Sequence, residues 1–167
     1  DEKNRKMAIE IERKFRVTTD QYKQLAKPLY CKQGYLDTQN EPLVRVRIID
    51  EKAYLTLKGK NNGISRLEFE YEIPIPDANT LLSNFCSTAF IEKNRFIFSV
   101  ENTTWEVDEF LGENLGLVVA EVELASENAD FYKPSWIGKE VSHESKYYNY
   151  KLVNHPYSKW NEIITKE

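Results

Sequence analysis

The stretch Ile9-Glu10-Ile11-Glu12-Arg13-Lys14-Phe15 constrains the chain more than any other. Side chains on a strand alternate with period two, so Glu10, Glu12 and Lys14 share one face while Ile9, Ile11 and Phe15 share the other. The same alternation recurs. Arg45 and Arg47 share a face of residues 43–48, and Arg66, Glu68, Glu70 and Glu72 alternate with Leu67, Phe69, Tyr71 and Ile73. Lys93 and Arg95 precede Phe96 and Phe98; Glu106 and Asp108 alternate with Trp105 and Val107; Glu121 and Glu123 stand among Ala120, Val122 and Leu124. An open sheet explains such a face as its wetted side. Here the charges are also grouped by type, with acid pairs on the first and last strands and basic pairs between. A face that merely meets water has no need of that grouping.

Taken in order, the pattern predicts a strand over 9–15 and a short helix from Thr18-Thr19-Asp20 through Lys27, stopped by Pro28. Strands follow over 31–38, with Gln33, Tyr35 and Asp37 on one face, and over 43–48, 54–58 and 65–73. A helix over 77–87 carries Leu81, Leu82 and Phe85 as its apolar face. Strands over 91–100, 104–110 and 117–125 come next, then a helix from Ser126 to about Tyr132, a polar tail, and an amphipathic end near Trp160. Hairpin-linked strands, about eight in all, with a few short helices make an α+β, mainly β fold: a closed eight-stranded antiparallel barrel with a charged lumen and the helices packed outside. Its apolar faces point outward, the reverse of an ordinary small barrel.

At 167 residues the chain reads as one domain over 7–167, with Met7 as the native start and residues 1–6 as an extension. The net charge of −4 argues against a nucleic-acid partner. No apolar run approaches the ~18 residues of a membrane span, and the charged opening is no signal peptide. Cys31 and Cys86 lack metal-ligand spacing and read as buried free thiols in a reducing compartment, so the protein is expected in the cytoplasm, with monomer and homodimer both left open.

Carboxylates such as Glu10, Glu12 and Glu123 converging within ~5 Å repel by about 3 kcal/mol per pair at an effective dielectric near 20. Shared protons or a divalent cation relieve the repulsion. Oxygen ligands without His or Cys favour Mg²⁺ or Mn²⁺ over Zn²⁺. The clustered Lys14, Arg45, Arg47, Lys58, Arg66, Lys93 and Arg95 call for an anion, and Arg forks fit phosphate oxygens. Acids for a metal beside bases for phosphate make a metal–polyphosphate site. The competing explanation is an internal salt-bridge network, which is costly when so many ions are buried without a ligand.

Glu10-Ile11-Glu12-Arg13-Lys14 resembles the ExExK signature of the CYTH proteins, also called triphosphate tunnel metalloenzymes. The order Arg45-x-Arg47, Lys58, Arg66-x-Glu68-x-Glu70, Lys93-x-Arg95, Asp108, Glu121-x-Glu123 extends the similarity from Met7 to about Leu152, closest to the short bacterial single-domain members. The resemblance implies an eight-stranded tunnel that acts on a small-molecule triphosphate with Mg²⁺ or Mn²⁺. By that analogy Glu10, Glu12, Asp108, Glu121 and Glu123 serve the metal, and Glu68 and Glu70 serve a second metal or the attacking water. Lys14, Arg45, Arg47, Lys58, Arg66, Lys93 and Arg95 bind phosphates, and Lys146 stands where relatives often carry an Arg near the tunnel. Tyr35 is open between gating and packing, and His143 reads as a surface residue.

The leading expectation is an inorganic triphosphatase that cleaves tripolyphosphate to diphosphate and phosphate through metal-activated water. The alternatives are a class IV adenylyl cyclase, a thiamine or nucleoside triphosphatase, and a non-catalytic polyphosphate-binding module. Fold alone does not choose among them.

Overall fold

The computed structural model describes residues 8–86 and 89–162. The expected extension over 1–6 and the start at Met7 lie outside the described residues. Among the described residues nine strands make one antiparallel sheet: β1 Ile9–Val17, β2 Leu29–Tyr35, β3 Leu43–Ile49, β4 Lys52–Lys58, β5 Ser65–Ile73, β6 Ile91–Val100, β7 Thr103–Phe110, β8 Val118–Glu123 and β9 Ile137–Glu140. Their order is β5-β4-β3-β2-β6-β7-β8-β1-β9, and a further β5–β1 pairing closes the first eight into a barrel.

β1 makes the closure because its two halves have different neighbours. Ile9–Ile11 pairs with β5, Glu12–Arg16 pairs with β8, and Phe15 and Val17 meet β9 across a register shift. β9 was not expected from its polar sequence. It is held by tertiary contacts: Arg13, an outward charge on β1, donates Nε and Nη2 to the Glu140 carboxylate at 2.9 Å each, with its guanidinium over the Phe131 ring.

The outward faces are apolar, as the alternation demands. One patch joins Phe15, Phe96, Trp105, Val107 and Val122 beneath Tyr22, Trp136 and Ile137. A second lies under α1, Ile75–Asn84, whose Ala78 and Leu82 bury against Val46 and Ala53. α1 sits so close to β2 that a Cβ on Gly34 would stand 2.9 Å from Leu82 Cδ2, so only glycine fits there without a shift.

Two of the expected helices are corrected. Residues 18–27 form only a 3₁₀ turn at Gln21–Gln24, and Asp20 makes no side-chain cap. Residues 126–132 are a bend and turn followed by irregular chain, in which Phe131 and Ala129 pack on the barrel instead of on a helix face. The inward face also differs from expectation at one end. Ile91, Phe110 and Val119 share inward parity with Lys93, Asp108 and Glu121, and they bury with Val141, Tyr147, Leu152 and Val153 of the C-terminal segment. The lumen is therefore stopped at that end by an apolar plug, which includes α2, Asn149–Leu152. No helix among the described residues is long and apolar enough to cross a membrane.

Candidate functional site

The barrel encloses a cavity of about 1100 Å³. β1 contributes Glu10, Glu12 and Lys14 to its wall, β3 contributes Arg45 and Arg47, and β4 contributes Lys58. Arg66, Glu68 and Glu70 come from β5, Lys93 and Arg95 from β6, Glu106 from β7, and Glu121 and Glu123 from β8. One strand alone holds two or three charges at period two; closure makes them face one another.

Register decides which charges meet. Lys58 lies opposite Glu68, Glu10 opposite Arg66, Lys14 opposite Glu121, and Arg95 opposite Asp108. Like charges also meet, with Glu12 opposite Glu123 and Glu106 opposite Glu121. Directly opposed like charges destabilise a sheet, so these positions of the β7–β8–β1 wall need cations beside them, which Lys14 and Arg95 supply to Glu12, Glu121 and Glu106.

The lysines between these acids are firmly held. Lys14 Nζ stands 2.6 Å from Glu121 and 3.2 Å from Glu12, and Lys58 Nζ stands 3.0 Å from Glu68 and 3.6 Å from Glu10. Burial disfavours charge on both lysines, with opposite outcomes. For Lys14 the attraction of Glu12 and Glu121 wins and its pKa is raised. For Lys58 burial is reinforced by Arg45 and Arg66 and outweighs Glu10 and Glu12, so its pKa falls to about 7. Burial likewise brings Lys93 down to about 8, against the pull of Asp108. Burial opposes the charge on Glu12, yet Lys14 holds that carboxyl below its ordinary range.

Asp108 sits off the cavity wall, 1 % exposed, and accepts from Lys93 Nζ at 2.8 Å, Arg95 Nε at 2.8 Å and Arg95 Nη2 at 2.9 Å. Despite burial, those two cations keep its carboxyl far below the usual carboxylate range. Lys146 is exposed and points at the Trp160 ring, 4.6 Å from its centroid, away from the lining. His143 is exposed. Tyr35 is buried and lines the cavity, its hydroxyl accepting from Gln33 Nε2 at 2.9 Å. Cys31 is a buried free thiol, and Cys86 is free and half-buried.

Two polar residues reach this network from outside the period-two pattern. Asn149 Oδ1, at the start of α2, accepts from Lys93 Nζ at 2.9 Å, and Ser142 Oγ accepts from the Lys14 backbone N–H at 2.9 Å. Both lie in the tail, where no alternation marks an inward face.

The donor set fits a hard divalent cation. All its side-chain ligands would be carboxylate oxygens, and the buried Glu10 Oε2 and Glu68 Oε2 have no hydrogen-bond partner. Among the described residues no three such ligands are already drawn around one point; Lys14 and Lys58 lie between them. On the anion side, buried Arg45 Nε and Arg66 Nε also lack a partner. Donors without a partner, and acceptors that share the single Lys58 ammonium, are what a ligand carrying both charges would complete.

The CYTH domain family matches residues 8–155. The chain is 53% identical over 156 residues to an inorganic triphosphatase of Acetivibrio thermocellus, covering 93% of this chain and 100% of the relative. It is 35% identical over 149 residues to an inorganic triphosphatase of Nitrosomonas europaea, covering 86% of this chain and 96% of the relative. The crystal structure of an inorganic triphosphatase superposes with a TM-score of 0.62 at 31% identity, over 86% of this chain and 93% of that one. A barrel turned inside out, with charges of both signs gathered on its lumen, thus comes with family-wide similarity in sequence and shape, and the chain belongs to the CYTH domain family.

Proposed function

We propose that this protein is a metal-dependent inorganic triphosphatase, cleaving tripolyphosphate to diphosphate and phosphate. The observation that carries the reading is the pairing of an acidic wall with a basic wall inside one cavity, with Arg45 and Arg66 Nε atoms that make no hydrogen bond and Glu10 and Glu68 oxygens that share one lysine. The names of the two relatives support the choice of substrate.

Glu10, Glu12, Glu121 and Glu123 would hold Mg²⁺ or Mn²⁺, with Asp108 acting behind them through Arg95. When bound, the cation neutralises phosphate oxygens and acidifies a bound water. Arg45, Arg47, Arg66, Lys58, Lys93 and Arg95 bind and orient the phosphates, the arginines as forks and the lysines as point charges. Lys14, which Glu12 and Glu121 keep protonated, would link the metal carboxylates to the phosphate. Glu70, whose Oε2 accepts from Thr56 Oγ1 at 3.1 Å, and Glu68 would orient the attacking water. Phosphoryl transfer of this kind needs positioning and charge stabilisation, with no covalent nucleophile.

Pure protein incubated with tripolyphosphate, ATP and thiamine triphosphate, first with Mg²⁺ and then with Mn²⁺, tests the reading. Phosphate release should be fastest from tripolyphosphate and absent without the metal. Cyclic AMP as the main product from ATP would reject it in favour of a cyclase, and tight tripolyphosphate binding without turnover would reject it in favour of a binding module.

A further inference from the structure

Gln33 lies in β2 with no solvent exposure, and its amide is fully used. Nε2 donates to Tyr35 Oη at 2.9 Å and to Asn149 Oδ1 at 3.2 Å. Oε1 accepts from Arg47 Nε at 2.9 Å and from Cys31 Sγ at 3.6 Å. Turning the amide over would set donor against donor at Arg47, inside a buried network where unsatisfied groups are costly. The carbonyl end is therefore fixed on the Arg47 guanidinium, which lies directly across the ladder from Gln33.

The other cations of this wall, apart from Arg66, whose Nε has no hydrogen-bond partner at all, are held by carboxylates. Lys14 has Glu12 and Glu121, Lys58 has Glu10 and Glu68, and Arg45 has Glu70. Lys93 and Arg95 share Asp108. Arg47, among the described residues, has no carboxylate within ion-pair distance and is anchored through Nε by a neutral amide. The distinction is physical. A carboxylate orients a guanidinium and cancels its charge, whereas an amide orients it and leaves the charge standing. With Nε engaged, both terminal nitrogens of Arg47, which have no hydrogen-bond partner among the described residues, can grip an anion from the cavity wall.

We propose that Gln33 is a positioning residue of the triphosphate site, aiming Arg47 at the anion while leaving its positive charge uncompensated. The inference rests on the triphosphatase reading and deepens it. Asn149 extends the same device: as a second neutral amide it ties Gln33 to Lys93 from the tail.

The test is a double-mutant cycle between Gln33→Glu and Arg47→Ala, read by calorimetric binding of tripolyphosphate, by KM and kcat, and by melting temperature. Gln33→Glu keeps shape and the acceptor for Arg47 Nε but adds the cancelling charge. It should weaken binding about tenfold and raise KM with kcat changed less than about threefold, the share expected of one charge-assisted contact. In the Arg47→Ala background the same change should alter binding less than about twofold, because the group it acts through is gone. Unchanged binding in Gln33→Glu, or an equal loss in both backgrounds, would overturn the proposal. Should Gln33→Glu not fold, Gln33→Met runs the same cycle, and loss of folding in both would show a structural role instead. Wild-type protein that neither binds nor cleaves tripolyphosphate would overturn the functional reading itself, which separates that failure from a failure confined to Gln33.

Discussion

The two flanks of the lumen use the same residue types to opposite ends. On β6 and β7, Lys93, Arg95 and Asp108 form a closed knot in which the 1 % exposed carboxylate accepts from both cations. On β1, β3 and β5, Arg45 Nε and Arg66 Nε are buried without a hydrogen-bond partner, and Glu10 Oε2 and Glu68 Oε2 share the one Lys58 ammonium. A satisfied network holds the wall in place; an unsatisfied one waits for something to complete it. The difference separates a flank braced by Asp108, whose cations still line the cavity, from a flank left incompletely bonded, within a single ring of charged residues.

Substituting one carboxylate from each flank breaks or sustains that contrast. Glu10→Gln removes an incompletely paired acid, so folding should be held or strengthened while metal-dependent tripolyphosphate turnover falls by about a thousandfold or more, ~4 kcal/mol of barrier. Steady-state rates beside a melting curve check it. Asp108→Asn leaves Lys93 and Arg95 facing each other, and breaking a buried pair costs about 3 kcal/mol or more of stability. It should appear first as a large fall in melting temperature. If Asp108→Asn instead melts like the parent and loses only turnover, the flanks do not differ as described.

The lysines give a smaller, signed effect. Lys58 at about 7 and Lys93 at about 8 lie below the ordinary lysine value, so each sheds its proton in the folded protein before it would in the unfolded chain. Between those values and about 10 the unfolded state binds more protons, and the contribution of these two groups to stability rises with pH. Phosphate binding runs the other way. The anion restores the ammonium, so tripolyphosphate should bind with proton uptake and weaken as pH climbs past 8. Calorimetry in buffers of different ionisation enthalpy measures the uptake, and Lys58→Arg should reduce it by about one proton, since arginine stays charged.

The smallest effect is expected at Lys146. It is exposed and meets the Trp160 ring rather than the lining. Lys146→Ala should cost under about 1 kcal/mol of stability, the worth of an exposed cation–π contact, with KM unchanged. A KM rise of tenfold would show that the tail moves onto the substrate.

What was legible before any coordinates is specific. The strands over 65–73 and 91–100 fall where alternation put them, because inverting a strand by one residue would turn its whole charged face outward. Period two likewise assigned every charged residue of the cavity wall to the inward face. The 3₁₀ turn at Gln21–Gln24 and the missing helix over 126–132 were not legible: local capping residues are outweighed there by Tyr22 and Phe131 packing on the barrel. β9 was hidden because four residues carry too little pattern, and its pairing depends on Arg13 and Glu140, 127 positions apart.

The sequence by itself determined the parity of each strand, hence the charges that face inward and the apolar surface that must be covered. Only the tertiary structure decided which of those charges oppose one another, that Asp108 withdraws behind Arg95, and that neutral amides from Gln33 and Asn149 anchor the cations. Parity is a property of one strand, readable over a few residues. Register and closure are properties of pairs distant in the chain, settled by the whole fold at once.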